Sequence, residues 1–228
     1  MLTDKEIYFK NFENVDIFIY SHIPFKPIVN NHIFKVLTNS HEDASKFNTD
    51  LAIYRDYDGM NISESNLLYN EYCGFYWMWK NYPLKKYVGL NHYRRYYTCC
   101  KKLPDIDEIF TKSSIILNKP LILKTNKGTE TYSNKDWYKL FHNVEDFDLL
   151  GEIIKEKYPE YSDGFDKMSK ANFINPSNLF TMRKDMFEEY CQFVFSVLRD
   201  FRKERGFYTV DDCIKYVEQN KEKYIKEY

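Results

Sequence analysis

The sequence predicts an α/β fold with a mainly parallel central sheet, flanking helices and a helical C-terminal part. Three observations carry this. Strand and helix patterns alternate through the first half. The candidate strands are short runs of β-branched and aromatic residues, the pattern of buried strands. Helical periodicity dominates the second half. In such sheets ligands sit beyond the carboxyl ends of the strands, so the residues just after each strand are the ones to weigh.

Val15 to Tyr20 (V-D-I-F-I-Y) is the first strand, broken by Ser21-His22-Ile23-Pro24. Ile33 to Thr38 is the second, followed by a polar stretch from Asn39 to Asp50. Asp56 to Ser65 is a loop with Asp58-Gly59 as its turn signal, and Ser63 or Ser65 is placed to cap the next helix. In that helix, Leu67 to Trp79, the residues Leu68, Cys73, Phe75, Tyr76 and Trp79 recur at roughly helical spacing. Pro83 ends it, and Tyr87 to Leu90 is the next strand. Asp105 caps a short helix reaching Phe110. Ser114 to Leu117 and Pro120 to Leu123 are short strands, and Lys124 to Thr131 reads as a mobile loop. Helices follow at Asp136 to His142 and Val144 to Lys157, the latter stopped by Pro159. Phe173 to Met182 is irregular, then extended. Met186 to Lys203 is strongly amphipathic, with Phe187, Tyr190, Val194 and Phe201 among its apolar positions. Thr209 to Tyr228 is a last, Asp-capped, mostly charged helix.

At 228 residues one domain is expected, and 43% apolar residues with 18% aromatics suffice for a core. The net charge of −1, from 33 basic and 34 acidic residues without a like-charge block, argues against a nucleic-acid binder. The five cysteines, Cys73, Cys99, Cys100, Cys191 and Cys213, include no C-x-x-C, so free thiols in a reducing, cytoplasmic setting are expected. Met1 to Lys10 is charged and lacks the apolar segment of a secretory signal. No apolar run of spanning length predicts a transmembrane helix.

The most informative stretch is Asn61 to Tyr97, where an aromatic helix pattern leads into a strand that ends on His92, Arg94 and Arg95. One imidazole and two guanidiniums at one strand end suit a phosphate or diphosphate, because the guanidinium fork matches phosphate oxygens two at a time. Alternation along an extended segment would put His92 and Arg94 on one face and Arg95 on the other. The plainer reading is an arginine pair making structural ion pairs.

The strings N-I-S-x-x-N (Asn61 to Asn66), Y-x-E-x-x-x-x-Y-W-x-W-K-N (Tyr69 to Asn81) and Y-V-G-L-x-H-Y-R-R-Y (Tyr87 to Tyr96) resemble the DUF4422 family, which is ascribed to glycosyl transfer in capsular and other surface polysaccharide synthesis. His142-x-x-x-Asp146-x-Asp148, Asn178-Leu179-Phe180-x-Met182 and Ser21-His22 are similar to weaker motifs of that family. The departures are Asn70 and Cys73 around Glu71, Ile23 after His22, and the tail after Phe207, which leaves acceptor specificity open. The resemblance implies a GT-A-like fold over the single domain 1–228, with residues to about 123 binding a nucleotide sugar and residues from about 124 forming the acceptor side and C-terminal helices. It implies a UDP-hexose donor of galactose type and a glycan or lipid-linked glycan acceptor, with peripheral membrane contact compatible. The alternative is a catalytically silent nucleotide- or carbohydrate-binding module.

Glycosyl transfer must neutralise a leaving diphosphate and usually deprotonates an acceptor hydroxyl. Enzymes of this fold commonly hold a metal with D-x-D at a central strand end, whereas the corresponding strand here ends N-H-Y-R-R. Arg94 or Arg95 is therefore expected to replace much of the metal's charge, with Mn²⁺ or Mg²⁺ as the alternative cofactor. The literal D-x-D strings Asp105-Ile106-Asp107 and Asp146-Phe147-Asp148 stand at or near helix starts, where capping competes with a metal-binding role. Glu71 among Tyr69, Tyr76 and Trp77 is a candidate base if buried, or a helix-start acid. Glu71 and His92 are thus the catalytic candidates, and His22, Asp58, Asn61, Asn66, Arg94 and Arg95 the donor-binding ones. His142 and Asn178 are placed on the acceptor side. Turn formation and capping compete for Asp58, Asn61 and Asn66.

Overall fold

The computed structural model describes residues 12–28, 32–96, 105–125, 128 and 130–224. Cys99, Cys100, the N-terminal segment and the tail after Tyr224 lie outside the described residues. The strands are β1 (Val15–Ser21), β2 (Phe34–Thr38), β3 (Ile53–Arg55), β4 (Tyr87–His92), β5 (Ile115–Leu117), β6 (Leu121–Ile122), β7 (Phe173–Ile174) and β8 (Phe180–Arg183). The helices are α1 (Asn66–Tyr69), α2 (Tyr72–Asn81), α3 (Ile106–Lys112), α4 (Asn134–Phe141), α5 (Val144–Lys157), α6 (Pro159–Lys170), α7 (Lys184–Arg205), α8 (Val210–Gln219) and α9 (Lys221–Tyr224).

The chain divides into two compact units. The first, Met1–Asn118 with Ser177–Cys191, holds a six-stranded sheet in the order β3-β2-β1-β4-β8-β5. The pairs β1/β2, β1/β4 and β2/β3 are parallel, and β8 runs antiparallel between β4 and β5. All seven residues of β1 are buried, as expected of a mostly apolar central strand. Its odd positions Val15, Ile17 and Ile19 join a core with Phe47, Ile106 and Phe110. On the other face α2 lies close to the sheet. A Cβ on Gly74 would stand 2.8 Å from the Tyr20 ring, so only glycine allows that approach. At the amino end of β1 a buried carboxylate, Asp16, receives Lys35 Nζ at 2.6 Å, Lys85 Nζ at 3.2 Å and the Tyr82 hydroxyl at 2.9 Å.

The second unit, Lys119–Pro176 with Gln192–Tyr228, is mainly helical. Helices α4, α5 and α6 pack through Phe147, whose ring meets Tyr138 at 5.3 Å and Phe165 at 5.2 Å. Asp146 on α5 ties down the C-terminal segment, pairing with Arg205 at 2.5 Å and accepting from the Tyr224 hydroxyl at 2.8 Å. Among the described residues no helix is long and apolar enough to cross a membrane.

Several local expectations change. The helix expected from Leu67 is interrupted: Asn70 adopts φ 46°, so α2 starts at Tyr72, and Ser65 makes no side-chain cap. Helix α5 ends at Lys157 before Pro159 as expected, but that proline then opens α6, in whose first turn its missing N–H costs nothing. Lys124 to Thr131 is a loop as expected, with a bridge joining its end residues. The last helix breaks at Asn220, and its cap is a Thr209–Asp212 capping box rather than an Asp.

Candidate active site

Sequence neighbours β1, β2 and β3 step outward on one side, and the chain then crosses to place β4 on the other side of β1. The carboxyl ends of β1 and β4 thus flank the switch point where such sheets bind ligands. Tyr20 pairs with His92, and the Tyr93 N–H donates to the Tyr20 carbonyl at 3.1 Å. The chain then reverses at once. The His92 N–H donates to the Arg95 carbonyl at 3.2 Å, and the Arg95 N–H to the His92 carbonyl at 2.8 Å. The segment is therefore a tight turn, not extended. His92 and Arg95 become a cross-strand pair sharing a face, and Arg94 stands at the corner, reversing the expected pairing of faces.

The Tyr93 ring organises the group. His22 meets it edge-on at 5.4 Å, His92 lies tilted against it at 4.5 Å, and the Arg94 guanidinium lies 4.9 Å from its centre. Arg95 Nη1 donates to Ser177 Oγ. Asn178 Nδ2 donates to Glu71 Oε1 at 2.8 Å, a bond spanning 107 sequence positions. Burial holds the His92 imidazole below its usual range, the charges of Arg94 and Arg95 push it the same way, and Glu71 opposes them. His22, Glu71, His92, Arg94, Arg95 and Asn178 are thus gathered in one place. Among the described residues neither arginine pairs with a carboxylate.

His92 also carries a pH dependence. A depressed imidazole contributes stability that is full above about pH 6.5, the ordinary histidine value, and is lost as pH falls through the lower folded value. The melting temperature of the wild type is expected to fall on acidification from pH 7.5 to 5.0 more steeply than that of His92→Gln. Parallel melting curves would count against the assignment.

The other candidates have defined tasks. Asn61 Nδ2 donates to the carbonyls of Tyr57 at 2.8 Å and Gly59 at 2.9 Å, and its Oδ1 accepts from Ser63, so it is spent on closing its own loop. The exposed Asp58 offers its backbone carbonyl to Trp77 Nε1 at 2.9 Å, and Asn81 bonds both backbone groups of Met60. The W-x-W-K-N string therefore clamps the Asp58-Gly59 loop onto α2, with Trp77 in the core and the Trp79 ring under Lys80. Asn66 reaches the Tyr20 hydroxyl at 3.4 Å, which donates to the fully buried Asp56 at 2.9 Å. Burial raises the Asp56 carboxyl above its ordinary range. Glu71 is half-buried at the start of α2 rather than enclosed by Tyr69, Tyr76 and Trp77. His142 ends α4 against Tyr138 and belongs to the second unit, whereas the switch-point residues belong to the first.

Both D-x-D strings are committed elsewhere. Asp105 caps α3, and Asp107 bonds Lys86 and the Tyr87 hydroxyl. Asp146 is held by Arg205, and Asp148 by Lys135 at 2.5 Å. Among the described residues no group of three or more His, Cys, Asp or Glu is placed to hold a metal ion. An open groove of about 580 Å³ lies beyond β1 and β2, lined by His22, Pro24, Asn39, His41 and Glu42. Asn39 Oδ1 is buried there without a partner, and His41 stacks on Tyr57 at 4.3 Å. Sequence reasoning missed Ser177, Tyr93 and His41; only Tyr93, inside the H-Y-R-R string, carried a signal.

This sheet, with its switch-point cluster, has the fold of a glycosyltransferase-like α/β protein. The chain superposes on the apo structure of WbbM, a bifunctional glycosyltransferase, with a TM-score of 0.66 and 26% identity, covering 83% of this chain and 37% of that one. It thus spans little more than a third of its neighbour. No curated protein sequence matches it. The chain belongs to the DUF4422 family, a domain of unknown function, whose profile matches residues 16–217.

Proposed function

We propose that this chain is a nucleotide-sugar-dependent hexosyltransferase with a GT-A-like fold, moving a galactose-type hexose from a UDP-sugar to a glycan or lipid-linked glycan acceptor in polysaccharide or glycoconjugate synthesis. The observation that carries this is a pair of guanidiniums with no carboxylate partner among the described residues, beside a depressed imidazole at the switch point of a parallel sheet. The likeness to WbbM supports the reaction class.

In this reading the groove beside His22 and Asn39 takes the nucleoside. Arg94 and Arg95 take the diphosphate and stabilise the charge that develops as the sugar–phosphate bond breaks. Glu71 accepts the proton of the attacking hydroxyl, and Asn178 stands beside it on the acceptor side. The neutral His92 can hydrogen-bond the diphosphate or take up a proton as that charge arrives. Acceptor recognition falls to residues after about 124, His142 among them. In this reading the guanidiniums do the neutralising work that a Mn²⁺ or Mg²⁺ would otherwise supply.

Arg94→Ala is expected to weaken UDP binding about tenfold or more by calorimetry, the worth of a charge-assisted contact. Unchanged affinity would remove the donor site from this turn. Turnover abolished by EDTA would sink the metal-free assignment. Sugar transfer or UDP release from a UDP-sugar separates an enzyme from a silent binding module.

A further inference from the structure

Glu71 and Arg95 are both held by one short link. Pro176–Asn178 is a single 3-10 turn broken by left-handed backbone at Ser177 (φ 72°, ψ 21°), and Asn178 follows at φ 48°. The described positive-φ residues other than glycine are Asn48, Asn70, Ser177 and Asn178, so these two form the adjacent pair. Left-handed backbone is unfavourable for residues with a Cβ, and glycine adopts it freely. A link needed only for its shape is best served by glycine. Here both positions carry side chains, and both side chains bond into the candidate site. Ser177 Oγ accepts from Arg95 Nη1, and Asn178 Nδ2 donates to Glu71 Oε1 at 2.8 Å.

We propose that Ser177 and Asn178 are positioning residues, a strained two-residue link whose first side chain sets Arg95 and whose second sets Glu71. The proposal rests on the reading of Arg95 as a diphosphate ligand and Glu71 as the base. Adjacent Cα atoms are about 3.8 Å apart across one rigid peptide unit. One peptide therefore fixes the register between the anion-binding guanidinium and the carboxylate. Asn70, at φ 46° just before Glu71, sets that carboxylate from its own backbone as well. Strain concentrated on groups that must be aligned is the expected mark of a preorganised site.

Glycine substitutions isolate the side chains, because they keep the backbone conformation and remove only the bonding groups. Asn178→Gly is expected to lower kcat about 10²-fold, the cost of a misplaced catalytic group, with the donor KM unchanged within about threefold. Ser177→Gly is expected to raise the donor KM and the UDP Kd about tenfold while kcat holds. In a Glu71→Ala background Asn178→Gly should cost no further kcat, and in an Arg95→Ala background Ser177→Gly should cost no further UDP affinity. Full losses persisting in those backgrounds would overturn the proposal. A thermal-melting cycle over Asn178→Gly and Glu71→Ala needs no turnover and should show non-additive shifts, whereas additive shifts overturn the link. A wild type that neither binds UDP nor transfers sugar would defeat the functional reading alone, and the melting cycle would still decide whether the link couples to Glu71.

Discussion

Glu71→Gln is expected to lower turnover at saturating UDP-sugar by about 10²- to 10⁴-fold, the usual contribution of a general base, while UDP affinity stays within about a factor of three. Glutamine keeps an Oε1 to accept from Asn178, so the geometry survives and only basicity is lost. Steady-state kinetics with donor and acceptor varied separately would measure it. The discriminating comparison is His92→Gln. If that change abolishes turnover and Glu71→Gln does not, the proton goes to the imidazole, which burial and the two arginines keep neutral at pH 7.

Asp16→Ala is expected to destabilise the fold by about 3–5 kcal/mol, because it strips the counter-charge from a buried lysine. The Asp16 side chain is 1% exposed and that of Lys35 10%. Lys85 and the Tyr82 hydroxyl lose the same partner. For a chain of this size the melting temperature should fall by roughly 6–20 °C. Combining it with Lys35→Met should recover much of the loss, since no charge is then left buried without a partner. A loss below about 1 kcal/mol, the range of an exposed pair, would show that water reaches the cluster. Asp16 lies six residues from His22, about 20 Å along an extended strand, so activity per folded molecule should be unchanged.

Much of the scaffold was legible because its signals are local. The runs at β1, β2 and β4 are rich in β-branched and aromatic residues, which suits strands covered on both faces. The apolar periodicity of α7 is equally plain. β3 escaped because Ile53–Arg55 is short and only partly buried. α6 escaped because proline was taken as a stop, although it fits a first helical turn. In the site, His92, Arg94 and Arg95 could be singled out by chemistry and by the family motif, but their relative faces could not. That depends on a two-residue reversal, which nothing in N-H-Y-R-R-Y announces. The bond from Asn178 to Glu71 depends on the chain's return through β8, and no local pattern encodes it. Asn61 shows the converse: the motif picks it out, yet its hydrogen bonds are all spent on its own loop.

The path of β8 has a consequence for how the protein is made. The strand that completes the sheet beside β4 pairs Phe180 with Leu90, and residues 119–176 between them belong to the other unit. On the ribosome the first unit therefore stays incomplete until residues 177–191 have emerged. Until then β4 offers an unpaired apolar edge, and Glu71 and Arg95 lack the partners that hold them. Pairing so distant in sequence folds slowly, and an open edge invites association with other chains. A chain halted after Leu123 should thus accumulate in aggregates, and a chaperone that shields strand edges should raise the yield of the complete protein.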